Sequence, residues 1–215
     1  MTVAILPAAG ESARMGKPKL LLPFGDTTVV GALIASLRRG GVERIVVVVA
    51  PGDDELRSWA ARDRDLTVTE NPRPERGMLS SILCGLEALG GAEAVAESGE
   101  VVLVTPADLP AIRPDTIRRL VEALRGASAP LAVPVYSGKR GHPLALGPTA
   151  LHEAAALDPA VGLRQLLDRR AVLELAVDDP GVVEDVDTPA DYERLRAAAE
   201  SGGRPPSPRD GGASR

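Results

Sequence analysis

The first candidates for chemistry are cations in a glycine-bearing loop near the start of the chain. The sequence AAGESARMGKPK, residues 8–19, follows a short apolar run. Gly10 and Gly16 would let backbone N–H groups approach a phosphate, and Arg14 and Lys19 could neutralise its charge. The loop is therefore a candidate phosphate-binding site. A glycine turn with solvated cations explains this segment alone equally well.

Two common phosphate-binding loops do not fit this segment. Gly10 and Gly16 enclose one residue more than the glycines of a Walker A loop do, and Pro18 stands where that loop has a magnesium-binding hydroxyl. The dinucleotide pattern G-x-G-x-x-G is absent because Ser12 occupies the place of its second glycine. Both loop types are excluded.

Three aspartates in two distant segments are candidates for a metal site. Asp108 directly follows a strand-like run in VVLVTPADLPAI. It could cap the next helix, but Pro114 already marks that helix's first turn, which favours a functional role. Asp185 and Asp187 lie in VVEDVDTPADYERL. Residues two apart in an extended segment face the same way, so these two carboxylates could converge on one cation.

Polar residues in two further segments are candidates for binding a substrate. The segment NPRPERGMLSSILCGLEAL carries Asn71, Gly77, Ser80 and Ser81. Hydroxyls and free N–H groups in the first helical turn can anchor a polar ligand, although Ser80 could equally be a helix cap. His142 in SGKRGHPLALG has no His or Cys partner at metal-ligand spacing, so it is a candidate for a substrate contact or a structural role.

The elements that must position these residues alternate along the chain. Apolar, β-branched runs predict strands at 3–6, 45–49, 66–69, 101–104 and 131–135. Helices are predicted from a cap at Asp26 or Thr27 to Gly40, and from Pro114 to about Arg125. This order predicts an α/β fold, a three-layer α/β/α sandwich with a mostly parallel, doubly wound, Rossmann-like sheet. Ligands of such sheets bind beyond the carboxyl ends of the strands.

The ends of the domain follow from composition. Residues 1–200 are predicted to form a single domain, with 89–99 as a flexible connection inside it. Residues 201–215, SGGRPPSPRDGGASR, are predicted to be a disordered tail because they hold too little apolar area to offset the entropy of ordering.

Composition also limits the compartment and the partners. The chain has 215 residues, 44% of them hydrophobic and one of them cysteine, so it can form a core without disulfides and is expected in a reducing cytoplasm. A net charge of −5 and 2% aromatic residues argue against nucleic-acid binding. No segment has the length and apolarity expected of a membrane span or a signal peptide.

The segment GESARMGKPKLLLP resembles the G-x-S-x-R-M-G-x-x-K signature of nucleotidyltransferases similar to molybdenum cofactor cytidylyltransferase, and it fills every fixed position. PADLP is similar to the family's metal-binding element, VDTP belongs to a segment similar to its D-x-D-T-P element, and RGHP is similar to its acceptor segment. The resemblance extends from the first strand to the last helix. It implies the nucleotide-diphospho-sugar-transferase-like variant of the sandwich.

The resemblance also implies roles for individual residues. Arg14, Lys19 and Asp108 are implied to be catalytic, and Asp108 and Asp187 to bind Mg²⁺, with Mn²⁺ as an alternative. Residues implied to bind the nucleotide or acceptor are Ala8, Ala9, Gly10, Ser12, Arg14, Met15, Gly16, Lys19, Asn71, Gly77, Ser80, Ser81 and His142.

The implied reaction is the transfer of CMP from CTP to a phosphorylated acceptor such as molybdopterin, with release of pyrophosphate. An apoenzyme of the molybdoenzyme class is then a candidate partner. CTP is favoured because Ala9 stands where guanylyl-transferring relatives tend to have glycine, and its methyl group would narrow the base pocket against a purine. The alternatives are guanylyl or other nucleotidyl transfer to a different acceptor, a nicotinamide-dependent reductase, and a nucleotide-binding protein without catalysis.

Overall fold

The computed structural model of the chain describes residues 1–10, 18–159 and 162–201. The strands are β1 (Thr2–Pro7), β2 (Pro23–Phe24), β3 (Thr27–Thr28), β4 (Arg44–Val49), β5 (Leu66–Glu70), β6 (Val101–Val104), β7 (Leu131–Tyr136), β8 (Lys139–Arg140), β9 (Leu144–Leu146) and β10 (Val172–Ala176). The helices are α1 (Val29–Arg39), α2 (Asp54–Ala60), α3 (Met78–Ala88), α4 (Ala92–Glu97), α5 (Pro114–Arg125), α6 (Pro148–Ala155), α7 (Arg164–Arg169) and α8 (Pro189–Glu200).

Eight of the described strands form one mostly parallel sheet. Seven of them follow the order β10-β7-β9-β6-β1-β4-β5, and β8 pairs with the C-terminal end of β7. Neighbours among β6, β1, β4 and β5 are parallel, as are β7 and β10. The short β9 lies antiparallel between β6 and β7. The predicted doubly wound, mostly parallel sheet is confirmed, with β8 and β9 as its two antiparallel strands among the described residues.

Side chains that alternate along the central strands bury both faces of the sheet. On β1, Ala4 and Leu6 join a core with Leu33 of α1 and Ile117 of α5. Ile5, between them, joins a second core with helix residues from α3, α4, α6 and α7. Because each face is covered by helices, the three-layer sandwich is confirmed.

The switch in strand order opens a crevice beside β1. The chain passes from β1 to β4 and β5 on one side and returns to β6 on the other. Loops that leave adjacent strands in opposite directions separate at such a point, which is where ligands of these folds bind. The loops in question follow β1 at Ala8 and β6 at Thr105, and both carry predicted site residues.

Three local expectations are wrong. Thr28, not Asp26 or Thr27, caps α1, because Thr27 is held in a hairpin with Phe24 and the Thr28 side chain accepts a hydrogen bond from Gly31 N at 3.2 Å. Residues 89–99 are not simply a flexible connection: they contain α4, which buries Val95 against the core. Ser80 does not cap α3, whose cap position is Gly77.

Residues 202–215 of the predicted tail lie outside the described residues, so the proposed domain boundary stays a prediction. No helix in the described part of the chain combines the length and apolarity needed to span a membrane.

Candidate active site

Lys19 joins two carboxylates that are far apart in the sequence. Its Nζ donates hydrogen bonds to Asp108 Oδ2 at 2.6 Å and to Asp187 Oδ1 at 3.1 Å. The side chains of Lys19 and Asp108 are 14% and 15% exposed, so solvent screens this contact only partly. Because both oxygens lie within hydrogen-bond distance of one nitrogen, the two carboxylates lie close enough to share one cation. Asp108 and Asp187, the pair that the resemblance implies to bind one metal, thus lie together at Lys19.

Three backbone features hold these side chains in place. Lys19 begins a 3-10 turn, Lys19–Leu21, whose leucines pack on the core. Asp187 directly precedes Thr188, which caps α8 in a reciprocal capping box with Asp191. A backbone hydrogen bond of 3.0 Å from Val186 N to the Asp108 carbonyl ties the two aspartate-bearing loops together.

The electrostatics of this cluster favour a charged lysine. Burial lowers the pKa of Lys19, but the hydrogen bonds and negative charges of Asp108 and Asp187 outweigh burial, so its pKa lies above the ordinary value. Asp185 belongs to the same electrostatic environment. Desolvation, then the charges of Asp187 and Asp108, raise the pKa of Asp185, while Lys19 acts to lower it.

The donor set fits a hard divalent cation. Asp108 Oδ1 is buried and has no hydrogen-bond partner among the described residues, so its lone pairs are available to a metal ion. Mg²⁺ is typically held by one or two carboxylates together with water and phosphate oxygens. Among residues 1–10, 18–159 and 162–201 there is no group of three or more His, Cys, Asp or Glu side chains placed to hold a metal. The two carboxylates that could hold a metal ion here are those of Asp108 and Asp187.

A cavity of about 340 Å³ opens beside this cluster, and we call it the first cavity. It is lined by predicted site residues from four separate segments: Ala8, Ala9, Gly10, Lys19, Gly77, Ser81 and Asp108. Pro106 and Met78 also line it, although the sequence analysis did not select either residue. The proximity of Pro106 to Asp108 could have suggested it, whereas nothing in the sequence distinguishes Met78 from an ordinary first-turn helix residue.

Asn71 lies outside the cavity lining and supports it. The side chain is 1% exposed, and its Nδ2 donates to Ser80 Oγ at 2.7 Å and Ser81 Oγ at 2.9 Å. Its Oδ1 accepts a hydrogen bond of 2.9 Å from Arg73 N. Gly77 and Ser81 line the cavity, while Asn71 and Ser80 do not. In this geometry Asn71 positions the start of α3, and the nucleoside contact expected for these residues stays a prediction.

A second cavity, of about 380 Å³, meets the first at Asp108. The two also share Met78 and Pro106 in their linings. The second cavity is further lined by the exposed Lys139 and Arg140, by His142 and by Asp185. Asp108 therefore lies between a cavity that contains the Lys19 cluster and a cavity with two cations at its rim.

His142 presents a neutral ring to the second cavity. Burial lowers the pKa of His142, although a hydrogen bond to the Val104 backbone and the charge of Asp108 act in the opposite direction. Its Nδ1 is buried without a hydrogen-bond partner among the described residues. The His142 backbone N–H is held by the Val182 carbonyl at 2.8 Å. His142 thus lines the second cavity beside Asp108, and its contact with a substrate stays a prediction.

Four predicted site residues, Ser12, Arg14, Met15 and Gly16, lie outside the described residues, and their roles stay predictions. Asp179, which precedes Pro180-Gly181, is a buried positioning residue that was not predicted from the sequence. Its signal was the turn-forming DDPG segment, in which an Asp side chain commonly accepts hydrogen bonds from nearby backbone.

The fold and this arrangement of cations and carboxylates are those of a nucleotidyltransferase. Residues 4–176 match the model of the MobA-like NTP transferase domain, and the chain belongs to that family. It is 27% identical to the molybdenum cofactor cytidylyltransferase of Escherichia coli strain K12 over 188 residues, which cover 87% of this chain and 92% of that protein.

Two further relatives agree with the family. The chain is 30% identical to the 2-C-methyl-D-erythritol 4-phosphate cytidylyltransferase of Rhodococcus opacus strain B4, with 93% of this chain and 96% of that protein covered. The crystal structure of Rv0371c from Mycobacterium tuberculosis H37Rv is 33% identical, with a TM-score of 0.74 and coverage of 91% of this chain and 97% of that chain. Another structure of Rv0371c, a complex with manganese, has a TM-score of 0.70 and 30% identity, covering 92% and 98%.

Proposed function

We propose that the protein transfers CMP from CTP to the terminal phosphate of molybdopterin, with Mg²⁺ as the divalent metal and pyrophosphate as the second product. The observation that carries the proposal is the Lys19, Asp108 and Asp187 cluster at the junction of two cavities. A two-substrate transfer needs two adjoining pockets with the charge-stabilising groups between them.

In the proposed complex the nucleotide occupies the first cavity. Backbone N–H groups of Ala9 and Gly10 and the charged Lys19 ammonium bind phosphate oxygens, and Asp108 and Asp187 hold the metal. When bound, Mg²⁺ would neutralise charge on the triphosphate and on the departing pyrophosphate. The chain's own contribution is to align the α-phosphorus with the second cavity and to keep a positive charge next to it.

The acceptor is proposed to occupy the second cavity. Lys139 attracts its negative charge at the rim, where Arg140 is paired with Glu174, and the neutral His142 ring contacts it without repelling a cation nearby. An oxygen of the acceptor phosphate forms the new bond to the α-phosphorus, and the bond from that phosphorus to the β-bridging oxygen breaks. A phosphate monoester with a second pKa of about 6 is mostly deprotonated at neutral pH, so the step needs no general base.

CTP is the proposed nucleotide for two reasons. Ala9 lines the first cavity, where its methyl group takes space that a purine would need. The Escherichia coli and Rhodococcus relatives are both named as cytidylyltransferases. The single cysteine, Cys84, is consistent with work in the cytoplasm, where the product would pass to an apoenzyme of the molybdoenzyme class.

A nucleotide screen tests the specificity. CTP, GTP, ATP and UTP are each added with Mg²⁺, and the midpoint of thermal unfolding is measured, since a ligand that binds only the native state raises it. The largest upward shift is expected with CTP, and it should disappear when the metal is chelated. If the Ala9 methyl group excludes a purine, the variant Ala9→Gly should move the preference towards GTP. A larger shift with GTP in the wild type would reject the assignment, as would an unchanged preference in Ala9→Gly.

A charge-removing variant tests the site itself. Asp108→Asn keeps the size of the side chain and removes one metal ligand, so pyrophosphate release with CTP and molybdopterin should fall about 100-fold or more. The matched control is Asp115→Asn on α5, an exposed aspartate that lines neither cavity, which should retain activity. Full activity of the Asp108 variant would show that this carboxylate takes no part in the reaction.

A further inference from the structure

A cation of the chain itself already joins the two carboxylates assigned to the metal. Lys19 Nζ is bonded to one oxygen of Asp108 and to one of Asp187, at 2.6 and 3.1 Å. A divalent ion that binds both side chains must either replace these two hydrogen bonds or lie close to a positive charge. Either outcome costs free energy, because like charges at short range repel strongly in a partly buried site.

The lysine is also poorly placed to leave on its own. Its side chain is 14% exposed, and its backbone is fixed in the Lys19–Leu21 turn by a hydrogen bond from Leu22 N to the Lys19 carbonyl. Leu20 and Leu21 pack against the core. The ammonium is therefore held at a high effective concentration next to the carboxylates, and a bare ion from solution competes against it.

Lys19 does have a second place to bind when a nucleotide is present. It lines the first cavity together with Ala8, Ala9 and Gly10, where the triphosphate is proposed to lie. Phosphate oxygens there can accept the hydrogen bonds that Lys19 now gives to Asp108 and Asp187. A metal ion that arrives with the triphosphate would find both carboxylates released from Lys19 by the same event.

We propose that Lys19 makes this site selective for a metal–nucleotide complex over the bare divalent ion. The inference rests on the proposed function, because it takes Asp108 and Asp187 to be metal ligands. Lys19 then has two effects of opposite sign: it weakens binding of the ion alone and strengthens binding of the ion bound to triphosphate. A purely structural lysine would weaken both when it is removed.

The experiment measures Mn²⁺ binding without catalysis. Free Mn²⁺ is followed by electron paramagnetic resonance during titration of the wild type and the variants Lys19→Met, Lys19→Arg and Arg118→Met, and binding of preformed Mn²⁺–CTP is followed by calorimetry. We expect Lys19→Met to bind bare Mn²⁺ about tenfold more tightly than the wild type, within the usual range of coupling between sites, and to bind Mn²⁺–CTP more weakly.

The control variants separate charge from other effects. Lys19→Arg keeps a cation and should bind bare Mn²⁺ as weakly as the wild type. Arg118→Met removes the same charge from the exposed face of α5 and should change neither affinity. If circular dichroism shows that Lys19→Met is unfolded, Lys19→Gln takes its place, since it keeps a hydrogen-bond donor for the carboxylates and carries no charge.

Two failures are distinguishable. If Lys19→Met or Lys19→Gln binds bare Mn²⁺ no more tightly than the wild type, while adding Asp108→Asn weakens that binding, the metal site stands and the selectivity role of Lys19 is wrong. If neither Asp108→Asn nor Asp187→Asn affects Mn²⁺ binding in the Lys19 variant, the metal site is wrong and the proposed function fails with it.

Discussion

His142 keeps an uncharged imidazole beside a cluster of charges. Burial lowers its pKa, and its buried Nδ1 has no hydrogen-bond partner in the described part of the chain. A group whose pKa is lower in the folded state binds fewer protons there than in the unfolded state. Its contribution to stability is therefore complete when the pH is above the unfolded-state pKa. The contribution is lost as the pH falls from the unfolded-state pKa to the folded-state pKa.

The consequence is an acid-sensitive contribution from this one side chain. Between about pH 6.5 and the lower folded-state pKa, protonation of His142 in the unfolded chain should reduce the free energy of unfolding by at most about 1.4 kcal/mol per pH unit. His142→Gln removes that contribution. Urea unfolding at pH 7.5 and at pH 5.5 should show a smaller loss of stability in the variant than in the wild type.

The chain supplies a matched control for this titration. His152 is exposed on α6 and lines neither cavity, so His152→Gln controls for the replacement of a histidine by glutamine away from the site. Equal losses in the wild type and both variants would mean that His142 titrates alike in the folded and unfolded states.

Residue identities could be predicted further than residue orientations. Lys19, Asp108 and Asp187 were selected from residue type and local pattern, and they meet in the structure. Asn71 was selected as a nucleoside contact, yet both of its N–H donors are taken by Ser80 and Ser81. A sequence shows that a polar group is present in a loop, but it does not show which partners that group has. The partners of Asn71 are determined by the packing of α3 against β1. Gly85 allows this close packing, because a Cβ there would lie 2.5 Å from Ile5 Cγ2.

At the scale of elements, a buried carboxylate connects the turn Pro180–Val182 to the start of α5. Asp179 is 2% exposed, and its Oδ2 accepts hydrogen bonds from Arg113 N at 2.9 Å and Thr116 Oγ1 at 2.7 Å. Its Oδ1 accepts from Gly181 N at 3.1 Å. The carbonyl of Val182, in the same turn, holds the backbone of His142. Asp179 thus supports one wall of the second cavity from behind.

Removing this connection should be costly. Asp179→Ala leaves three donors without their charged acceptor: the buried Gly181 N–H, the buried Thr116 hydroxyl and the partly buried Arg113 N–H. We therefore expect a loss of about 3 kcal/mol in the free energy of unfolding. Urea denaturation measures it. Asp115→Ala, in an exposed ion pair with Arg118, should cost less than about 0.5 kcal/mol. A loss of under about 1 kcal/mol for the Asp179 variant would mean that water replaces the carboxylate.

The same scale shows why some elements could not be predicted. All five predicted strands are present. Four of them, β1, β4, β6 and β7, are continuous apolar runs of the kind typical of strands buried on both faces, and the edge strand β5 was indicated by its β-branched residues. β10 was missed because it lies at the edge of the sheet and alternates, with the exposed Glu174 in its middle. β9 has three residues, and its place between β6 and β7 is decided by long-range pairing. Glycines around α4 suggested flexibility, but Val95 and Ala96 are buried.

At the scale of the whole molecule, the site is assembled from the two ends of the chain and its middle. β1 leads to the loop that begins at Ala8, β6 leads to Asp108, and the segment before α8 contains Asp187. α8 is fixed by Tyr192, which packs with Phe24 and Val29 and donates a hydrogen bond of 2.7 Å to the Pro23 carbonyl. The last helix is therefore needed to keep the second carboxylate in place, whereas the tail after it is predicted to be disordered and to have no part in this.

This difference leads to a truncation experiment. α8 ends at Glu200, and Ser201 Oγ donates to the Ala198 carbonyl at 3.0 Å. Because residues 202–215 hold no large apolar side chain, deleting them should shift the midpoint of thermal unfolding by less than about 2 °C and should leave stabilisation by Mg²⁺–CTP unchanged. Ending the chain at residue 191 instead removes Tyr192 and Leu195 from a core with Phe24 and Val186, and should abolish both the cooperative transition and nucleotide binding. A fall of several degrees in the unfolding midpoint of the shorter deletion would show that residues 202–215 belong to the folded domain. Nucleotide binding by the protein that ends at residue 191 would show that α8 is not needed for the site.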